Sequence, residues 1–276
     1  MKKILVPLDF SETSDNAFVY ALEMAKLLKA ELVLLHTFDL PVVDTQALPY
    51  NYATIYDTIE LSNFDHFKEK LPQLRAIAIE RNLDHIVLNH LLMDGDLLYN
   101  IKKVVAEEGV NMVVMGTNGA EGWFDTFLGT NTGSVITHVG VPVLSVPAEA
   151  QFDKIETIAF TTRFREKDIE ALNKVLSYAK KFRAKVKCLY VKTMSSDVTE
   201  ETIKRWQSHF EDEEIEFFII PDEDVKATIE DFLVSQSIDL LALLTYKRNF
   251  FAELFTTTTT QKLSYHLKTP MLVLHE

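Results

Sequence analysis

NMVVMGTNGAEGWFDTFLGTNTGSVITHVGVPVLSVP occupies residues 111–147. It opens with Met112–Met115, an apolar run too short for a helix and without the alternation of a half-exposed strand, which marks a strand buried on both faces. A glycine-bearing loop follows, then a helical pattern from roughly 131 to 138, then VPVLSVP, apolar again between two prolines. The same plan recurs further on. Residues 111–146 lie on 239–274 without a gap at a constant offset of 128. Thr117/Thr245, Phe127/Phe255, Thr130/Thr258, Thr132/Thr260, His138/His266, Pro142/Pro270 and Leu144/Leu272 are identical. The identities fall inside a matching order of elements, the mark of a tandem duplication.

Outward from that stretch, strands and helices alternate through the chain. KKILVPL, ELVLLHTF, HIVLNHLL and NMVVMG are strand-like in the first half, separated by helical patterns at 11–30, about 57–81 (despite Pro72) and 97–109. Ser11 or Thr13 is placed to cap the first helix. IETIAFTT, KVKCLYVK, IEFFIIP, DLLALLTY and PMLVLHE repeat the strands in the second half, with helices at 166–182, 198–210 and 225–236. Continuous apolar strands joined through helices specify a parallel sheet covered on both faces. The expected architecture is α/β: two tandem, doubly wound, five-stranded sheets, over residues 1–148 and 154–276, related by a pseudo-twofold axis.

Composition sets limits on function. The net charge is −13, with 10 basic and 20 acidic residues in 1–150 against 18 and 21 in 151–276. Neither half has the basic field that nucleic-acid binding requires. No apolar run approaches the ~18 residues of a membrane span, and the apolar run in MKKILVPLDF is too short for a signal peptide. The single cysteine, Cys188, excludes an internal disulfide and a cysteine metal cluster. A cytoplasmic protein without nucleic-acid or membrane partners is expected.

The glycines point to a site. All eight lie between residues 95 and 140, five of them in 116–133. In a parallel α/β sheet, ligands bind beyond the carboxyl ends of the strands. Gly116 and Gly119 fall on that rim, and Gly129-Thr130 opens the next helix, whose start presents unpaired N–H groups suited to phosphate. Thr130 and Thr132 add hydroxyl donors. The spacing is neither GxxxxGK[ST] nor GxGxxG. A loop shaped by glycines alone is the plain alternative.

Gly116, Gly119, Gly129 and Thr130 fit G-x2-G-x9-G-[ST], and with this motif the sequence resembles the universal stress proteins. ILVPLDFSETS at 4–14 looks like that family's opening strand and turn, LVLLHTF like its second strand and PVLSVP like its fifth. The resemblance implies adenine-nucleotide binding, ATP with or without Mg2+, by the first half. Pro7, Asp9 and Thr37 would surround adenine and ribose, and Met115 and Gly116 would flank the nucleoside. Gly119, Gly129, Thr130, Asn131 and Thr132 would hold the phosphates and nearby ribose. Asn131 departs from a common valine, and Gly133-Ser134 from a turn commonly richer in charge. Family members pair through the fifth strand, so Val141–Val146 and Met271–Leu274 are expected to meet within one chain as an internal pseudo-dimer, with a dimer of chains left open.

The second half lacks the motif. At the offset of 128, Gly116 becomes Leu244, Gly119 becomes Lys247 and Gly129 becomes Thr257, and aligning ILVPLDFSE with IAFTTRFRE puts Arg163 at the place of Asp9. A degenerate scaffold is expected there. The alternative is an anion site made of Arg163, Lys247, Arg248 and the threonines at 256–260. Other candidates are weaker. His36 has the setting of a packed or hydrogen-bonded side chain, Ser134 has no histidine–carboxylate partner, and Tyr50, Tyr52 and Tyr56 could line a lid or pack a loop. The function expected is a nucleotide-binding stress regulator or sensor. The alternatives are a slow ATP hydrolase, for which no catalytic base is visible, and an interaction scaffold with a vestigial pocket. The signal and the protein partners are not written in the sequence.

Overall fold

The computed structural model describes residues 1–40, 52–117, 131–245 and 268–276, with side chains of the second helix from residue 57. The first half runs β1 (Lys2–Pro7), α1 (Glu12–Leu28), β2 (Ala30–Phe38), α2 (Tyr52–Glu80), β3 (Leu88–Asp94), α3 (Leu97–Glu108), β4 (Met112–Thr117), α4 (Asn131–His138) and β5 (Val143–Pro147). The second runs β6 (Thr157–Thr161), α5 (Glu166–Phe182), β7 (Lys185–Lys192), α6 (Glu200–His209), β8 (Ile215–Pro221), α7 (Val225–Ser235), β9 (Leu240–Thr245) and β10 (Met271–His275).

The chain divides into two compact units, Met1–Met115 and Gly116–Glu276. In the first, the strand order is β3-β2-β1-β4, all parallel. Ile4, Leu5 and Val6 are at most 1% exposed. A central strand covered on both faces needs apolar residues at every position, which is why β1 shows no alternation. In the second unit β8-β7-β6-β9 repeats the first unit's order strand for strand, and all its pairs are parallel. In each unit helices cover the mainly parallel sheet on both faces.

Equivalent helices are built alike. α1 begins at Ser11, whose side chain accepts the Ser14 N–H at 3.2 Å, so Ser11 and not Thr13 is the cap. It ends at Lys29, left-handed at φ 51°, and α5 ends at Arg183, left-handed at φ 59°. Their N–H groups close on Ala25 O and Ala179 O, satisfying carbonyls that a helix end leaves open.

The division at Met115–Gly116 differs from the repeat boundary read near residues 148–153. Its cause is β5, which pairs with β10. The register is antiparallel: Met271↔Ser145, Leu272↔Leu144, Val273↔Val143. His275 extends the join to α4, with a ring nitrogen 2.7 Å from Ile136 O. At the offset of 128, Leu144 and Leu272 are each other's counterparts, and Val143–Val273 and Ser145–Met271 exchange under the same operation. The strand pair is locally twofold in register, and the expected meeting of the two last strands is present. β10 continues the sheet through parallel pairing with β9.

Two elements differ from the sequence reading. α2 starts at Tyr52, earlier than 57, and keeps Pro72 inside. β3 starts at Leu88 and not His85, because residues 81–86 form a turn. There Asn82 is left-handed, Leu83 N–H closes on Ala78 O at 2.8 Å, and Ile86 is buried.

Candidate functional site

In the first unit β1 lies between β2 and β4, so its carboxyl end is the centre of the rim. Pro7 is the last residue of β1 and pairs with Leu35, and Leu8 N–H adds one rung to Leu35 O at 2.8 Å. The chain then leaves the sheet, and Asp9 is exposed. Its Oδ1 accepts the Ser11 hydroxyl at 2.6 Å and the Ser11 amide at 3.0 Å. Partial burial opposes its ionisation, but the hydrogen bonds from Ser11 and Ser14 outweigh that and hold its pKa below the usual carboxylate range. Asp9 is therefore both the turn residue of the plain reading and an ionised, outward-facing acceptor at the end of the central strand.

Thr37 is half-buried near the end of β2, opposite Met93 of β3. Met115 is buried at 5% exposure on β4. Pro7, Asp9, Thr37 and Met115 are thus brought to the carboxyl ends of three adjacent strands.

In the second unit Gly116 and Thr132 are joined directly. The Thr132 hydroxyl donates to Gly116 O at 2.9 Å, and Thr132 is 4% exposed. That proton, expected to serve a ligand, instead clips the start of α4 to the end of β4. Asn131 is exposed at the first position of α4. Thr117 Oγ1, at the end of β4, is buried and has no hydrogen-bond partner among the described residues. Gly119, Gly129 and Thr130 lie outside the described residues, as do Tyr50, Lys247, Arg248 and the 256–260 threonines.

The turn after β6 is built differently. Asp168 is 1% exposed, and its Oδ2 accepts the Thr162 hydroxyl at 2.8 Å, the Arg163 amide at 2.8 Å and the Arg165 amide at 3.2 Å. Thr162 Oγ1 in turn accepts the Phe164 amide at 2.8 Å. Burial pushes the Asp168 carboxyl up, against the pull of those three donors. The counterpart of Asp168 in the first half is Ser14. The second-half turn therefore closes on the chain's own carboxylate, and an arginine replaces the outward-facing acceptor. Sequence reading missed Asp168; its signal was an acid three residues after the helix cap.

His36 is hydrogen-bonded as expected, its Nδ1–H donating to Leu8 O at 2.7 Å. A groove of about 550 Å³ opens along α2, lined by Thr58, Leu61, Ser62, Asp65, His66 and Glu69. It is one open helix face with no strand ends converging on it, so it does not compete with the β1 rim as a ligand site. Among the described residues no group of three or more His, Cys, Asp or Glu side chains is placed to hold a metal ion, and no helix is long and apolar enough to cross a membrane.

Comparison with known proteins bears on the family and the fold. Residues 1–147 match the family described as the universal stress protein family. A universal stress protein of Methanocaldococcus jannaschii is 29% identical over 154 residues, covering 52% of this chain and 94% of its own length. One from Bacillus subtilis is 29% identical over 145 residues, covering 52% of this chain and 97% of its own. Over the whole chain, a universal stress protein structure from Archaeoglobus fulgidus superposes with a TM-score of 0.70 at 17% identity, covering 99% of this chain and 96% of the other. At that identity the likeness speaks for the fold.

Proposed function

The chain belongs to the universal stress protein family, and from that premise we propose that it is an adenine-nucleotide-binding regulatory protein, holding one ATP per chain in its first half. The observation that carries the reading is the contrast between the two turns. After β1, an ionised Asp9 faces outward at the centre of the rim. After β6, the equivalent turn carries Arg163 and is closed by buried Asp168. A carboxylate at that place accepts N–H and O–H donors, the groups that adenine and ribose offer. Phosphates fall to the backbone of Gly116, Gly119 and Gly129, with Thr130 and the exposed Asn131 at the start of α4. Thr132 acts by holding that helix start to Gly116. Pro7, Thr37 and Met115 wall the nucleoside. A Mg2+ ion arriving with the triphosphate would be held mainly by its phosphates.

Titration calorimetry with ATP tests this. The wild-type chain is expected to bind one equivalent. Asp9→Ala is expected to weaken binding by roughly 10- to 100-fold, the loss of one or two hydrogen bonds to a charged group. Gly119→Val or Gly129→Val is expected to abolish it. Two equivalent sites, or unchanged affinity in folded Asp9→Ala, would count against the assignment.

A further inference from the structure

Phe10 follows Asp9 and has φ 60°, in the left-handed region that bulky side chains rarely enter. Rings from two elements hold it there. Its ring packs 4.8 Å from His36 of β2, and 5.9 Å from both His66 and Phe67 of α2. His36 and Phe67 lie nearly parallel, 6.0 Å apart and 8° between planes, and His90 of β3 meets Phe67 edge-on at 6.3 Å. His36 also donates Nδ1–H to Leu8 O at 2.7 Å. The residues on both sides of Asp9 are thus fastened to one imidazole.

The second half keeps the device with other parts. Phe164 has φ 56° and packs against Tyr190, Trp206 and Phe217 at 5.1, 5.0 and 6.4 Å. The registers Pro7↔Leu35 and Thr161↔Leu189 make Tyr190 the counterpart of His36. Likewise Leu34↔His90 and Cys188↔Phe217 make Phe217 the counterpart of His90. There the turn is locked a second time, by Asp168. The first half has Ser14 at that position and no buried carboxylate, so its turn is held by the ring cage together with the exposed Asp9–Ser11 hydrogen bonds.

We propose that Phe10, caged by His36, His66 and Phe67, is a positioning residue that fixes the Asp9 carboxylate in the orientation needed to bind nucleotide. This rests on the nucleotide-binding reading above. The left-handed residue sets the direction of the chain between β1 and α1, and so the distance from Asp9 to Ser11. Without the cage, a non-glycine residue relaxes toward negative φ, and the Asp9–Ser11 pair opens. Glycine tolerates the conformation but does not fix it.

Two readouts on the full-length protein test it: ATP affinity by calorimetry, and the Asp9 carboxyl titration by ¹³C NMR, which needs no nucleotide. Phe10→Ala is expected to weaken ATP binding by about tenfold or more and to move the Asp9 titration up toward the ordinary carboxylate range. Phe10→Tyr is expected to restore both, because the ring remains and its hydroxyl can reach water. Phe10→Gly is expected to fall between. Should Phe10→Ala not fold, His36→Phe keeps a ring but removes the tie to Leu8 O, and the same two shifts are expected at smaller size. A folded Phe10→Ala, or His36→Phe in its place, with wild-type Asp9 titration overturns the proposal whether or not ATP binds. If the titration moves but ATP affinity does not, the nucleotide role of the positioning is overturned. If the titration moves and the wild-type chain binds no ATP, the positioning of Asp9 stands and the nucleotide reading falls.

Discussion

Replacing Val143 and Leu272 together with lysine should separate β5 from β10. Both residues lie in the β5–β10 pair, Val143 at 0% and Leu272 at 1% exposure. Each forfeits about 1.5–3 kcal/mol of side-chain burial. An unpaired ammonium forced into such a place costs several kcal/mol more, even after relaxation. Two such sites together come to on the order of 10 kcal/mol, comparable with the whole stability of a typical domain, about 5–15 kcal/mol. The strands need not stay paired at that cost, and unpaired they become apolar edges. The expected outcome is aggregation or a large loss of thermal stability, read by light scattering and by denaturation followed through Trp206. A Trp123→Phe background leaves Trp206 as the sole tryptophan of the chain. Val87→Lys, at a position 48% exposed, serves as the control. A milder pair, Leu144→Ala and Leu272→Ala, should each cost about 2–5 kcal/mol. The two side chains are paired in register, so the costs should be non-additive by at least about 0.5 kcal/mol. A soluble lysine double variant melting within a few degrees of wild type would refute the pairing.

Asp168→Ala leaves the Thr162 hydroxyl and the Arg163 and Arg165 amides without their acceptor, and should cost about 1–3 kcal/mol for each donor left buried and unpaired, read by urea denaturation. Asp168→Asn should cost less, since one acceptor oxygen remains. Burial, with the charge of Arg75, holds His90 below its usual pKa. The unfolded chain therefore takes up that proton first as pH falls through about 6.5, and stability present above that pH should be lost between there and the lower folded value. His90→Phe, which copies Phe217, should flatten that part of the stability–pH curve; an unchanged slope would remove His90 as the cause.

The order of elements was legible because the physics behind it is local. β1 is apolar at every position, as a strand buried on both faces must be, and α5 runs from Glu166 to Phe182 as its pattern indicates. The twofold register of β5 and β10 was legible in outline, because a duplication that copies an edge strand supplies a partner for it. What the sequence did not show depends on how donors and acceptors far apart in the chain are shared. It names Thr132 as a hydroxyl donor but not that the proton goes to Gly116 O. It sets Arg163 at the place of Asp9 but does not show that Asp168 closes the turn.

Phe10 and Phe164 were visible as identical residues in two aligned turns, yet their left-handed backbones were not, since nothing local in phenylalanine asks for that conformation. The cages around them come from strands and helices tens of residues away. The two halves reach the same backbone shape by different means. One uses a buried carboxylate and a cage of Tyr190, Trp206 and Phe217, the other a ring cage containing imidazoles and an outward-facing Asp9. A turn that only had to connect a strand to a helix would be served equally by either solution. The half that keeps its glycines is also the half that leaves its carboxylate exposed, and the nucleotide site proposed for residues 1–147 rests on that coincidence of two independent features.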